Sequence, residues 1–343
     1  MRVLGRDDVR AALDGREGAV LDAVRNAYLL HRAGQSEIPF SSFLRPPGRP
    51  GSRIICLPAY LGGTDPVIGV KWISSFPTNL ERGLQRASAV SILNDLETGY
   101  PVAVLESSQI SAARTAAGAA VASEVLHGGT AVRTVGLIGC GTINHRTLAY
   151  LTRVHPGIRE VALFDAVDEH AKLAAERWAE QFPGIDLTPG DLTSALRAQT
   201  VSIATTDSSY WLSLGDHPDR PPDQVVLHLS LRDLDVASIL RGYNVVDDVD
   251  HVCREQTSLH RTELELGHRG FIHATIGGLL SGDPIAKPTS ANTIFSPFGL
   301  GVLDLAVSVE VVRAAEAGGT GITVDGFEPG SHQITSQLTG GKA

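Results

Sequence analysis

Residues 133–151, RTVGLIGCGTINHRTLAYL, decide the architecture. They run an apolar strand into a glycine turn and then into a helical pattern, the order that a dinucleotide-binding unit requires. Gly139 suits the tight turn, and Gly141 lets the backbone approach a pyrophosphate. The free N–H groups of Thr142, Ile143 and Asn144, with the positive end of their helix, then face the phosphates, so no side-chain cation is needed. Asn144 stands where a third glycine is usual, which questions the closeness of helix and strand rather than the phosphate contact. The next apolar run, VALFDA, ends in Asp165, placed to accept from adenosine ribose hydroxyls. An acid there repels a 2′-phosphate, and Ala166 and Val167 supply no cation, so NAD is expected over NADP. Thr205 and Thr206, closing the run TVSIATTD, are expected at the carboxyl edge of the same sheet, where ligands bind in such folds.

Outward from this stretch, short apolar runs alternate with helical patterns from about residue 130 to 296: VRTVGLIG, VALFD, IDL, TVSIATTD, QVVLHLS and YNVVDDV. Such alternation implies βαβ units around a parallel sheet. The earlier part differs. Residues 7–32 carry apolar positions at three- and four-residue steps, the signature of two short amphipathic helices. RIICLPAYL and VIGVKWISSF read as strands, as do SAVSILND and YPVAVLES, the last two joined through a turn at Gly99. The Ala-rich residues 111–126 read as a long connecting helix. LGVLDLAVSVEVVRAA reads as a final helix that can pack back on the first part, followed by a Gly-rich tail. The fold class is therefore α/β, a Rossmann-type doubly wound parallel sheet plus an α+β domain. The expected division is residues 1–125 plus 312–343 for the substrate domain and 126–311 for the nucleotide domain.

The chain has 343 residues, 43% of them hydrophobic and 20% charged, which supports two packed cores and rules out a disordered or fibrous protein. Its 38 acidic against 29 basic residues give a net charge of -9, and without a basic cluster this argues against nucleic acid or an anionic membrane as partner. Cys56, Cys140 and Cys253 are odd in number and lie far apart, as in a reduced protein rather than a disulfide scaffold. No apolar run approaches the roughly 18 residues of a membrane span, and the N-terminal residues include acids where a signal peptide is apolar. The expectation is a cytoplasmic protein.

Two cations stand out for being alone. Lys71 interrupts the strand GVKWISSF and Arg114 interrupts the helix ISAARTAA. A single such residue usually snorkels to water, but two beside a cofactor domain point to an anionic substrate. Arg45 and Arg53, flanking the Pro-rich loop, are further candidates, and a cluster of cations suits an amino-dicarboxylate. Asp247, Asp248, Asp250 and His251 lie close in sequence but read as a strand end at the domain rim, and no metal site is expected.

The phrases LPAY, GVKWISSFP, NDLETGYPVAVLES, ISAARTAA and GLIGCGTIN, in this order over nearly the whole chain, resemble the ornithine cyclodeaminase/mu-crystallin family. HLSLRDL, NVVDDVDHVCR and IFSPFGLGVLDLAV resemble, within it, the branch that releases 2,3-diaminopropionate for siderophores and peptide antibiotics. The resemblance implies an NAD-dependent dehydrogenase acting on a CH–NH bond, cleaving N-(2-amino-2-carboxyethyl)-L-glutamate, and a homodimer through the first sheet. It implies that Lys71 and Arg114 contact the substrate carboxylate and that Asp233 helps activate water. Family members that cyclise ornithine follow this aspartate with a Pro-Gly-Lys type segment. Leu234-Asp235-Val236 stands here instead, which disfavours that reaction. Ornithine cyclodeaminase, alanine dehydrogenase, ketimine reductase and a non-catalytic nucleotide or small-ligand binding protein are the alternatives within the resemblance.

Overall fold

The computed structural model describes residues 1–205, 209–287 and 292–327. Their strands form two sheets. The first contains β1 (Arg2–Leu4), β2 (Ser36–Glu37), β3 (Ser42–Leu44), β4 (Arg53–Leu61), β5 (Val67–Ser75), β6 (Ala87–Asn94) and β7 (Pro101–Glu106). The second contains β8 (Thr134–Ile138), β9 (Glu160–Phe164), β10 (Asp186–Pro189), β11 (Thr200–Ile203), β12 (Val225–His228), β13 (Tyr243–Val246), β14 (Ile272–Thr275) and β15 (Thr293–Ser296). β16 (Ile322–Thr323) returns to the first sheet beside β1.

The four long strands of the first sheet run as an antiparallel meander, as their alternation predicts. Because side chains alternate across a pleated strand, one register row sets the character of the inner face: Leu57, Lys71, Ser91 and Leu105 lie side by side on β4, β5, β6 and β7. Lys71 is buried there, while its neighbour Trp72 points to the other face, which also exposes Ile68 and Val102.

The second sheet is parallel throughout, in the order β10-β9-β8-β11-β12-β15-β13-β14. β11, β12, β13 and β15 are buried along their whole length, which is why the first three read as continuous apolar runs. Strand order reverses between β8 and β11, so a crevice opens at the carboxyl ends of those two strands. The residues after β8, β11 and β12 converge there. β14 and β15 are additions to the strands read from sequence, as are β1 and β16, whose few residues leave no room for an alternating pattern.

The helix Ser108–His127 links the sheets. Its alanines, buried at 112, 113, 116, 117, 119 and 120, let it pass closely between the helices Glu17–Arg32 and Thr142–Val154. The final helix, Gly301–Gly318, lies on β4, β5 and the helix Glu17–Arg32. A division at 311/312 therefore cuts a continuous helix. Nothing in its apolar pattern marks a break at that point, because buried residues continue across it, with Val311 and Ala315 on either side.

Candidate active site

Three groups of residues meet at the crevice. The first is the turn after β8. Gly139 has φ +91°, and a Cβ there would collide with the carbonyl oxygen of Ala204, so only glycine allows β8 and the end of β11 to approach this closely. Gly141 opens the helix Thr142–Val154, whose start has no side-chain cap, and the space around it is clear. Thr142 is exposed and Ile143 half-buried. Asp165 accepts from the N–H of Cys140 at 2.9 Å and of Val167 at 3.1 Å, which pins the turn to the end of β9. The open turn, the uncapped helix start and this carboxylate together fit a dinucleotide.

Asn144 corrects an expectation. Its side chain is fully buried and turned inward, donating to the carbonyls of Ile138 at 2.9 Å and Gly139 at 2.7 Å, and accepting from Ser202 Oγ at 2.7 Å. The amide thus fastens helix to strand where a third glycine would merely let them touch. It cannot contact a ligand through its side chain.

The second group is an ion cluster. Lys71 Nζ donates to Asp304 Oδ2 at 2.6 Å and to Ser111 Oγ at 3.3 Å, and Arg114 Nε donates to Asp304 Oδ1 at 3.1 Å. Lys71 is 1% exposed and Asp304 0%. Burial, aided by the nearby Arg114, brings the Lys71 ammonium down to about 8, with Asp304 opposing that shift. Gly299 has φ +92°, and a side chain there would strike the Arg114 guanidinium. Asp247 at the end of β13 holds this glycine by accepting from the N–H of Phe298 at 2.8 Å and of Gly299 at 2.7 Å. Sequence reasoning missed Asp304 and took Asp247 only for a strand end. An acid alone in the apolar pattern of VLDLAVSV is the signal for Asp304, by the reasoning that marks Lys71.

The third group surrounds Asp233, after β12. One carboxylate oxygen accepts from Thr205 Oγ1 and from Trp211 Nε1 at 3.1 Å. The other accepts from Ser230 Oγ at 2.5 Å and lies 3.2 Å from His228 Nε2. Burial pushes this carboxyl up, but His228, Ser230 and Thr205 outweigh it and hold it well below the usual carboxylate range. With four neighbours around its two oxygens, Asp233 is not presented bare. Thr205 and Ser230 border the open space beside it. Thr206 lies outside the described residues.

That space is a cavity of about 400 Å³ bordered by Arg45, Arg53, Arg86, Arg232, Glu255, Thr205, Ser230 and Asp233. It adjoins a second of about 330 Å³ that reaches Lys71 and Arg114 and shares Arg53, Arg86, Thr205, Ser230 and Arg232. The expected residues Arg45, Arg53, Lys71, Arg114 and Asp233 are thus brought to one place. Arg232, Arg86 and Glu255 join them without having been picked out from sequence. Asp248 and His251, 2.8 Å apart, instead join His31 at the rim through hydrogen bonds to Asp248, and among the described residues no three His, Cys, Asp or Glu side chains are placed so as to hold one metal ion.

A parallel sheet with a nucleotide cradle at its switch point, facing a cationic cavity on a second sheet, defines a two-domain α/β protein of the dinucleotide-binding class. The chain belongs to the ornithine cyclodeaminase/mu-crystallin family, which matches residues 17–212. It is 29% identical to N-((2S)-2-amino-2-carboxyethyl)-L-glutamate dehydrogenase of Staphylococcus aureus, over 95% of this chain and 98% of that one. It is 27% identical to an alanine dehydrogenase of Archaeoglobus fulgidus, with the same two coverages. The structure of Thermococcus litoralis Delta(1)-pyrroline-2-carboxylate reductase in complex with NADH and L-proline superimposes with a TM-score of 0.86 at 24% identity, covering 94% of this chain and 100% of that one. No helix among the described residues is long and apolar enough to cross a membrane.

Proposed function

We propose that the protein is an NAD-dependent dehydrogenase that cleaves N-(2-amino-2-carboxyethyl)-L-glutamate to 2,3-diaminopropionate and 2-oxoglutarate. One observation carries this reading: leaving Arg86 aside, the five cations Arg45, Arg53, Lys71, Arg114 and Arg232 meet, among the described residues, the acids Glu255, Asp233 and Asp304 around the joined cavities. An excess of two positive charges suits a substrate with several carboxylates, which alanine and ornithine lack. The relative from Staphylococcus aureus supports the same choice.

Gly139, Gly141, the start of the helix Thr142–Val154 and Asp165 would hold NAD, which would supply the acceptor for the hydride leaving the glutamate-side Cα. The substrate nitrogen loses a proton, and the C=N bond so formed is hydrolysed by water to the keto acid and the free amine. Lys71 and Arg114 hold the carboxylate beside the reacting carbon, and Asp304 keeps both cations in place. Thr205 and Ser230 donate their hydroxyl protons to Asp233, and since Ser230 Oγ also accepts from the Thr205 N–H at 3.1 Å, it is Thr205 Oγ1 and the remaining lone pair of Ser230 that can accept from water or from the substrate N–H. Asp233 thereby draws protons through two hydroxyls rather than by direct contact.

The substrate domain comprises the first sheet with the helix Gly301–Gly318, and two copies pair through the outer face bearing Ile68, Trp72 and Val102. Sedimentation equilibrium is expected to give twice the chain mass, and Trp72→Glu the single mass. A monomeric wild-type chain would refute the pairing.

The reaction is checked by NADH formation from NAD and N-(2-amino-2-carboxyethyl)-L-glutamate, with NADP, ornithine and alanine as controls. Turnover of the first pair alone, with 2-oxoglutarate as product, is the expected result. Turnover of ornithine or alanine instead would overturn the substrate assignment. Preference for NADP would overturn the role given to Asp165.

A further inference from the structure

Arg53, at the start of β4, is a half-buried guanidinium that makes no hydrogen bond or ion pair to any described residue. Burial and repulsion from Arg232, Arg86 and Arg45 all favour loss of its charge, and Glu255 opposes them. Arg232 donates Nε and one Nη to the backbone carbonyl of Glu255, at 3.1 and 2.7 Å, which leaves its other Nη outside those bonds. The carboxylate of Glu255 goes instead to Arg45, at 2.5 Å. A half-buried cation that pairs with no anion among the described residues is a site shaped for one.

The backbone here is also unusual. Tyr210, Leu231, Glu255 and Gln256 are the non-glycine residues with left-handed φ among the described residues. Three of them border the two cavities, and Tyr210 bonds to Gln256 and Arg232. Such conformations cost energy and gather where a ligand is gripped.

We propose that Arg53 and Arg232 bind the side-chain carboxylate of the glutamate half of the substrate, and that Glu255 weakens this grip by competing for the same positive field. The assignment rests on the reaction proposed above. Arg53 and Arg232 belong to the wall shared by both cavities. A five-carbon diacid anchored by one carboxylate at Lys71 and Arg114 therefore brings its other carboxylate to that shared wall. The third carboxylate of the substrate is left to Arg45 at the mouth. Glu255 then has a clear use: the product 2-oxoglutarate keeps both carboxylates of this half, and a site of undiluted positive charge would release it slowly.

Calorimetric titration of the NADH-loaded protein with 2-oxoglutarate and with 2-oxopentanoate, which has a methyl where the distal carboxylate stands, tests this without turnover. The wild-type protein is expected to prefer the diacid by about 100-fold, as for a charge-assisted pair. Arg53→Gln and Arg232→Gln should each reduce that preference to about tenfold or less. Glu255→Gln should tighten 2-oxoglutarate several-fold and leave 2-oxopentanoate unchanged, a gain that misfolding cannot produce. Equal binding of the two acids by the wild-type protein, or weaker diacid binding in Glu255→Gln, would overturn the proposal. Failure to turn over N-(2-amino-2-carboxyethyl)-L-glutamate with the diacid preference intact would refute the proposed reaction and leave this site standing.

Discussion

Asp304→Asn is expected to lower stability by about 3–5 kcal/mol, the range for removing one partner of a buried ion pair. The carboxylate is fully buried and serves two cations, so the amide leaves Lys71 and Arg114 without an anion. Lys71 responds by losing its proton more readily still, since burial already brings it to about 8. A cation with a lowered pKa burdens the folded state most below that pH, and the burden eases as pH rises through 8. The variant should therefore melt well below the wild type at pH 6, recover part of the gap at pH 9, and fail to hold substrate at either. Scanning calorimetry at the two pH values checks the first part and kcat/KM the second. Combining Asp304→Leu with Lys71→Met removes the fully buried pair, leaves Arg114 alone without its acid, and should restore part of the stability without any activity. Wild-type melting of Asp304→Asn would show that the helix Gly301–Gly318 is held by its apolar face alone.

Asp233→Asn is expected to reduce kcat by about 10²–10⁴-fold, the usual worth of acid–base assistance. An amide cannot accept from both hydroxyls and the indole N–H while drawing a proton, so Thr205 and Ser230 lose their orientation. The wild-type carboxyl lies below the usual range, so it stabilises the fold above its ordinary pKa of about 3.9 and that contribution is lost as pH falls below this value. The variant should then show a shallower loss of melting temperature in acid. A kcat within a factor of ten of wild type would mean that proton transfer does not pass through this residue.

The features legible in the sequence were local. The strand-turn-helix around Gly139 and the acid at the end of the next strand are contiguous patterns, and Lys71 and Arg114 betray themselves by being charged in apolar surroundings. The features that stayed hidden depend on which loops meet. Glu255 and Arg232 are ordinary surface types in sequence, and only the convergence of the segments after β12 and β13 sets them against Arg45 and Arg53. Asn144 shows the opposite case. Read as a weak spot in a glycine pattern, it is a buried bracket with its donors and acceptor all used. Asp304 escaped because the closing helix reads as packing, although its lone acid obeys the same rule as the lone lysine.

The reach of Asp304 back to Arg114 spans 190 residues of chain. At a translation rate of about 5–20 residues per second, Arg114 leaves the ribosome on the order of 10–40 seconds before its counter-charge. During that interval the first sheet can form its meander, but Lys71 and Arg114 repel each other across an unfilled core. A product arrested between Asp165 and that helix therefore carries the turn for a nucleotide but lacks the acid that holds Lys71 and Arg114 together.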